Sequence, residues 1–285
     1  MKRIIIQLLA LVFLTFSNVF AQNSLKIMTF NIRYENSGDG IHSWNNRKNL
    51  VIKTIAAQAP DVLCIQEGII NQVNILENAF PGYGRVGVGR DDGKTAGEFS
   101  AVFFLKDRFK QIESSTFWLS QTPDVLGSRG WDAACNRVVT WIKLKDNKTG
   151  KSCYVFNTHF DHIGQVACRE SAKLLLQRVV AIAGNFPFVI TGDFNGNEQS
   201  EPYQLLMAST KPKLSNTRYV SKNGSKGPDC SIFGFDGKFK QGAVIDHIFI
   251  NFKSESLRHQ IIDDNESGFY PSDHQPVMAE IIPNN

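Results

Sequence analysis

The chain lacks the short devices on which several common chemistries depend. No Cys-x-x-Cys pair occurs among its five cysteines, which removes the usual zinc-ribbon and thioredoxin spacings. There is no Gly-x-Ser-x-Gly elbow for a Ser/His/Asp hydrolase and no His-Glu-x-x-His for a zinc peptidase. A P-loop and a dinucleotide fingerprint are also missing. The Gly-rich GRVGVGRDDG at 84–93 is their nearest imitation, but no helix signal follows it and a mobile loop is expected there. Charge of one sign is scarce: 31 Lys and Arg stand against 27 Asp and Glu, a formal +4 that falls to +2 without Lys2 and Arg3. A dedicated duplex-DNA binder is far more basic.

Long apolar runs are missing as well, except at the start. Lys2 and Arg3 precede an apolar stretch from Ile4 to Phe16, and Val19-Phe20-Ala21 places a small residue before Gln22. This is the pattern of a cleaved secretory signal over 1–21, with an uncleaved anchor as the alternative. The run is short for a bilayer, so no stable membrane span is expected after cleavage and the protein is expected to be secreted or periplasmic. No Cys follows the cut site to carry a lipid. Residues 22–285 contain no Pro/Ser-rich linker, charge block or repeat, so one domain and a monomer are expected. Cys64 and Cys153 lie in strand-like runs and read as small buried hydrophobes. The odd number of cysteines supports no particular pairing.

What is present is rich in strand. Runs dominated by β-branched and aromatic residues recur at 25–31, 61–66, 99–105, 137–144, 152–159, 187–192, 243–250 and 276–282. Several are apolar on both faces, as strands covered on each side must be. Helical patterns occupy 45–58 after a candidate Ser43 cap, 165–183 with Leu175, Val179 and Ile182, and more weakly 199–208. Sheets inside and helices outside are the architecture that follows.

Polar residues gather where these strands end. Asn31 ends the first run, Glu67 follows the second, and His159 ends the fifth with Asp161 and His162 just beyond. In VITGDFNG, Gly192 lets the backbone approach something closely, and Asp193 and Asn195 follow at the strand exit. Asp273 and His274 precede the last run, and Asp246 sits within the seventh. Each has a plain alternative: Asn31, Asp193, Asn195 and Asp273 all suit turns, Glu67 suits a solvated strand end, and a lone His159 is more often structural than catalytic. Asp246 is harder to dismiss. An acid among Val244, Ile245, Ile248 and Phe249 is costly to bury unpaired, and His274 can serve as its partner.

This inventory suits metal-assisted hydrolysis of a phosphate ester. A hard cation such as Mg²⁺ takes oxygen ligands, which Glu67 with Asn31 or Asp273 can supply. Asp193 can deprotonate an attacking water, Asn195 can hold a phosphate oxygen, and an Asp246–His274 pair can stabilise charge building on phosphorus.

Taken in order, IMTFNIR, DVLCIQEG, FNTHFDH, ITGDFNG, IDHIFI and SDHQPV resemble the endonuclease/exonuclease/phosphatase superfamily across essentially the whole mature chain. The stretches SSTFWLSQTP and SRGWDAACNRVVTW resemble a secreted bacterial branch of it. The resemblance implies an α/β fold: a four-layer α/β sandwich, two mixed β-sheets packed face to face with helices outside. It implies Mg²⁺ or Mn²⁺ at Glu67, with Asn31 close and Asp273 assisting, and catalytic roles for His159, Asp193, Asn195, Asp246 and His274. His159 stands where the abasic-site enzymes of the superfamily have Tyr. The resemblance also implies that the break after VIT brings the main chain close to the scissile phosphate. Arg137 reads as a phosphate clamp or a solvated cation, and Asp161 and His162 as substrate-binding residues or plain loop polarity.

The expected substrate is a small, glycan- or lipid-linked phosphate ester. Support comes from the modest charge and from Trp118, Trp131, Phe160, Phe233 and Phe235, which near the cleft can stack on a sugar or base, although each taken alone reads more readily as core. An extracellular nuclease acting on DNA or RNA is the alternative, and a non-catalytic binding module that has lost the chemistry is a third.

Overall fold

A computed structural model describes residues 24–235, 237–251 and 253–284. The expected signal segment lies outside the described residues. The strands are β1 Leu25–Asn31, β2 Val62–Gly68, β3 Tyr83–Val86, β4 Phe99–Leu105, β5 Phe109–Trp118, β6 Val138–Asp146, β7 Ser152–His159, β8 Phe188–Asp193, β9 Leu214–Asn216, β10 Ser225–Lys226, β11 Asp246–Asn251, β12 Ser254–Ile261 and β13 Val277–Pro283. They form a seven-stranded sheet, β10-β12-β13-β1-β2-β4-β3, and a six-stranded sheet, β5-β6-β7-β8-β11-β9. Both are mixed: β1–β2 and β7–β8 run parallel while most other pairs are antiparallel.

Two-residue alternation decides which side chain faces which layer. On β1, Leu25 and Ile27 join Val62, Val102, Val155, Val189 and Ile248 in a core shared by the two sheets. Met28 and Phe30 point the other way, onto helices Trp44–Gln58 and Ile70–Ala79 through Val51, Ile55, Val73 and Leu76. The outer face of the second sheet offers Phe156, Phe188 and Ile190 to helix Gln165–Ala183, whose Ala172, Leu175, Val179 and Ala183 recur every three or four residues. Burying each large aliphatic or aromatic side chain contributes about 1.5–3 kcal/mol, so both sheets are held rigidly from two sides. The four-layer α/β sandwich is what the structure shows.

The alternation also places the site. Asn31, His159, Asp193 and Asp246 share the inward parity of Ile27, Val155, Val189 and Ile248, but lie at the strand ends where the apolar core stops. A polar layer closes that core: Gln66 Nε2 donates to Asn157 Oδ1 at 2.6 Å and Thr29 Oγ1 at 3.0 Å, and Asn157 Nδ2 donates to the carbonyls of Ile65 and Ala101. Buried Arg47 ties two site-bearing segments together by donating to the carbonyls of Ile32, Arg33 and Pro271.

Several expectations change. Asp246 opens β11 instead of lying inside a longer strand, because residues 243–245 are held by Ser231. Ser43 occupies the N-cap position but makes no capping hydrogen bond from its side chain. The Gly-rich stretch is not loose: residues 84–86 belong to β3, and beyond it Gly89, Arg90 and Asp91 each donate a backbone hydrogen bond within the turn. Of the five aromatics placed near the cleft, none lines the central cavity. Trp118 and Phe160 are fully buried, Phe160 against Phe194, while Phe235 stacks on His42. All five cysteines are free thiols, with Cys64, Cys153 and Cys230 buried. No helix among the described residues is long and apolar enough to cross a membrane.

Candidate active site

The strand-end residues converge on Asp193. In register, Asp193 lies beside His159 of β7 on one side and Asp246 of β11 on the other. Its Oδ1 accepts the Asn195 backbone N–H at 2.9 Å and its Oδ2 accepts Asn31 Nδ2 at 2.9 Å. The same Oδ2 lies 3.5 Å from His159 Nε2 and 3.7 Å from His274 Nε2. Burial, reinforced by the Asp246 carboxylate, pushes the Asp193 carboxyl up to about 7. A carboxylate with that proton affinity is matched to proton abstraction near neutral pH.

His274 Nδ1 is 2.9 Å from Asp246 Oδ2. Burial by itself lowers the proton affinity of this imidazole, but Asp246 and Asp193 outweigh it and hold the pKa well above the ordinary value. His274 is therefore an imidazolium aimed at the reaction centre. His159 is the opposite case: burial, with Arg137 and Arg90 nearby, drives its pKa well below normal and keeps it neutral. Two histidines on one carboxylate thus carry different charges.

Glu67 reaches the cavity through backbone strain. Its φ is 63°, a left-handed value at a break in the β2–β4 register, and such conformations persist in non-glycine residues only where the surroundings impose them. Asn195, with φ 48°, is a second case in the same site. Asn31 Nδ2 donates to Glu67 Oε1 at 2.9 Å, and Glu67 Oε2 accepts the Tyr34 N–H at 3.1 Å. Arg33 stands between Glu67 and Asp273, 4.0 Å from one and 3.9 Å from the other. Burial raises the Asp273 pKa, and Glu67 adds to the effect.

The Asn31 amide shows its nitrogen to these carboxylates, since its Oδ1 accepts the Arg33 N–H at 3.0 Å. In this arrangement Asn31 orients Glu67 and Asp193, and the oxygen expected to face a metal is turned away. Asn195 also differs from its expected role. Its amide nitrogen serves His159 Nε2 at 3.1 Å and the Phe160 carbonyl at 2.9 Å, so it fixes His159 and would have to release a hydrogen bond to hold a phosphate oxygen.

Arg137 lines the same cavity, of about 570 Å³, with His162. Its Nη2 is 2.9 Å from His162 Nδ1 and its Nε is 3.4 Å from Asp161 Oδ2. Asp161 does not line the cavity; it accepts the N–H groups of Ala134, Ile163 and Gly164. Those bonds and Arg137 overcome the effect of burial and hold its pKa near the bottom of the carboxylate range, at about 2. Asp161 is thus a positioning residue for Arg137.

Three further residues carry no sequence pattern that would have selected them. Arg90 and Glu98 line the cavity wall beside His159. Ser231 joins the two halves of the Asp246–His274 pair: its Oγ accepts the N–H groups of Ile245 at 2.9 Å and Asp246 at 3.1 Å, and its carbonyl accepts the Gln275 N–H at 2.8 Å. Ser231→Ala leaves two N–H groups without their acceptor, at roughly 1–3 kcal/mol each. The expected result is a lower Tm and a kcat reduced about 10-fold or more by misplacement of the pair, with KM little changed. Steady-state kinetics check this, and Ser231→Thr, which keeps the acceptor, is expected to restore most of the loss.

The profile of the endonuclease/exonuclease/phosphatase family matches residues 28–274. An endonuclease/exonuclease/phosphatase structure from Bacteroides vulgatus is 35% identical and superposes with a TM-score of 0.86, covering 92% of this chain and 99% of that one. A mannosyl-6-phosphatase from Bacteroides thetaiotaomicron is 32% identical with a TM-score of 0.84, covering 90% and 99%. Human nocturnin is 23% identical over 290 residues, 90% of this chain and 64% of nocturnin's own length. With a matched profile that runs from β1 to His274 and so spans both sheets, the chain belongs to the endonuclease/exonuclease/phosphatase family.

Proposed function

We propose that the protein is an exported, Mg²⁺- or Mn²⁺-dependent phosphoesterase that hydrolyses a small, glycan- or lipid-linked phosphate ester by water attack. The observation that carries this reading is the convergence on Asp193 Oδ2 of the Asn31 amide, neutral His159 and the His274–Asp246 pair at the floor of a cavity of about 570 Å³. Asp193 takes the proton of the attacking water. His274, held charged by Asp246, faces the negative charge that develops on the phosphoryl oxygens.

The donor set fits a hard divalent cation. Glu67, His159 and Asp193 offer ligand atoms within 4.8 Å of one another. Glu67 is the oxygen donor that would hold it, oriented by Asn31, with Asp273 assisting from the far side of Arg33. When bound, such a cation supplies Lewis-acid polarisation of the phosphate.

Cavity size and charge support a small ester over a polynucleotide. The wall cations Arg33, Arg90 and Arg137 are each paired, with Asp39, Glu98 and Asp161, whereas tracking a phosphate backbone needs unpaired basic charge. Likeness to a mannosyl-6-phosphatase favours a sugar phosphate within that class. Export rests on the basic start, the apolar run and Val19-Phe20-Ala21.

The test uses the exported protein, whose intact mass is expected to start at Gln22, stripped of metal and assayed with sugar phosphates, inositol phosphates, sphingomyelin and nucleic acids. Turnover is expected only with Mg²⁺ or Mn²⁺, and Glu67→Gln is expected to raise the metal concentration needed. Cleavage confined to DNA or RNA, falling steeply with salt, would instead establish a nuclease. No metal-dependent turnover of any ester would leave a binding module.

A further inference from the structure

Positive charge that is modest over the whole chain is gathered into one segment. Residues 211–240 hold seven Lys and Arg and two Asp, so this stretch alone outweighs the net +4 of the entire chain. Its place in the fold makes the excess a surface. β9 ends the six-stranded sheet and β10 ends the seven-stranded sheet. The short helix Thr217–Val220 between them packs on β9, β11 and β12, so both edges lie on one side of the sandwich. The segment is fastened there: the N–H groups of Lys222 and Asn223 donate to the carbonyls of Ser256 and Leu257, and Thr217 Oγ1 donates to the Ile248 carbonyl at 3.0 Å. It then runs to the active site, where Ile232 lines the cavity and the Phe233 N–H donates to the Asp273 carbonyl.

The lysines of this side, Lys211, Lys213, Lys222, Lys226, Lys238 and Lys240, are all exposed. Arg218 pairs with Asp229 and Lys222 with Glu255, whereas Lys211, Lys213, Lys226 and Lys240 make no ion pair among the described residues. Apolar side chains stand between them. Tyr219, Val220 and Phe239 are 58%, 45% and 39% exposed. The Tyr219 hydroxyl donates to Glu198, and Phe239, between Lys238 and Lys240, packs on Phe233 and Tyr270 with ring centroids 5.3 and 6.2 Å away.

Two features decide the partner. Six of the seven cations are lysines, whose long stems bring point charges to a charged plane without fixed geometry, while arginine is the residue that grips single phosphates through a planar fork. Aromatic and aliphatic tips exposed among lysines are the pattern of a protein lying on a bilayer, ammonium groups on the lipid phosphates and apolar tips below them. A polynucleotide would use aromatics as stacking platforms, and Val220 offers it none.

We propose that the side of the sandwich formed by residues 211–240 docks on an anionic lipid surface through its lysines, with Tyr219, Val220 and Phe239 entering the headgroup layer, and so holds the mouth of the cavity beside the headgroups.

The experiment mixes the exported protein, checked by intact mass to lack the apolar leader, with sedimentable vesicles of phosphatidylcholine alone or with added phosphatidylglycerol, and separately with a fluorescent oligonucleotide. Binding is expected to the phosphatidylglycerol vesicles only and to weaken with salt. Lys211→Ala, Lys213→Ala, Lys226→Ala and Lys240→Ala combined are expected to lower the partition coefficient about 100-fold or more, at roughly fivefold per lysine near an anionic surface. Val220→Ser with Phe239→Ser is expected to lower it on the order of 10-fold and to leave the salt dependence unchanged. The lysine variant is expected to keep the parent's Tm and its turnover of a water-soluble phosphate ester, since each changed side chain is exposed and none lines the cavity. Binding is read without turnover, so it stands or falls apart from the phosphoesterase reading. Equal binding to both kinds of vesicle, no binding to either, or undiminished binding by the lysine variant would overturn the docking face. An oligonucleotide bound in preference to the vesicles, and released by the same four substitutions, would overturn the lipid assignment and make this a nucleic-acid surface.

Discussion

Asp193→Asn is expected to lower kcat by about 10²-fold or more, the usual scale for a lost general base, and at the same time to leave the metal-free protein at neutral pH as stable as before or more so. The two halves of this outcome share a cause. Asp193 is fully buried next to Asp246, and its carboxyl is pushed up to about 7 from roughly 3.9 in an unfolded chain. Between those values the folded state holds a proton that the unfolded state has released, so stability falls as pH rises through that window and the full cost is present above it. Asparagine removes the charge and keeps one oxygen, for either the Asn31 amide or the Asn195 N–H, so a lost hydrogen bond of roughly 1–3 kcal/mol is set against the removed buried charge. The Tm difference between variant and parent is therefore expected to grow from pH 4 to pH 7, as thermal scans at stepped pH would show. His274→Ala is expected to cost kcat a similar factor, since it removes the imidazolium 3.7 Å from Asp193 Oδ2. Because both groups serve one step, the double variant should lose much less than the product of the single losses. A purely structural Asp193 would show the reverse: normal turnover with a Tm that drops at every pH.

The parts of this molecule legible in its sequence are those where a single pattern runs uninterrupted. The runs 25–31, 99–105 and 152–159 coincide with β1, β4 and β7, and 165–183 with its helix, because burial on both faces or on one helical stripe demands a continuous apolar signal. β5 escapes that logic. It is an edge strand whose KQIES segment is largely solvent-facing, so pairing to β6 holds it and no hydrophobic face announces it. Helix Ile70–Ala79 begins after Ile69, whose side chain cannot cap it, and uses the Gln72 side chain on the Ile69 N–H instead. In the site, Asn31, Glu67, His159, Asp193 and His274 are visible as polar residues at apolar strand ends. Sequence gives their types but not their orientation, which is why the Asn31 amide nitrogen, rather than its oxygen, faces the carboxylates. Arg90, Glu98 and Ser231 sit in loops with no periodicity, and only the fold brings them to the cavity wall or the Asp246–His274 pair. The aromatics show the same limit: Trp118 and Phe160 are as suited to stacking on a substrate as to filling a core, and their burial settles them as core.

Gly192→Ala is expected to be among the most damaging single methyl groups that could be added to this site. Gly192 has a φ of 145° one residue before the end of β8, and a Cβ there would lie 2.0 Å from the Thr158 carbonyl oxygen and 2.8 Å from its carbon. Those atoms are main chain of the adjacent parallel strand, in register with Gly192 itself, so no rotamer change can relieve the clash. The close approach that the glycine allows is to β7, whose next residue is His159. Either β7 and β8 separate, breaking the row that sets His159, Asp193 and Asp246 side by side, or the chain fails to close its second sheet. The cost is expected to be about 4 kcal/mol or more, in the range reached only when core packing is forced apart, and at 2–4 °C per kcal/mol for a domain of this size the Tm should fall by about 10 °C or more. Activity should fall with it even in the protein that remains folded, because Asp193 follows directly on the displaced residue. Gly82→Ala supplies the control: a Cβ there meets nothing within 4 Å, and a glycine replaced at an unstrained position loses no native contact while restricting the unfolded chain. Thermal unfolding and turnover measured on both variants separate a local clash from a general intolerance of lost glycine. A Gly192→Ala protein that melted within a few degrees of its parent and kept its kcat would show that β7 and β8 can part without disturbing the row, and the rigid placement of Asp193 by its neighbouring strand would then be wrong.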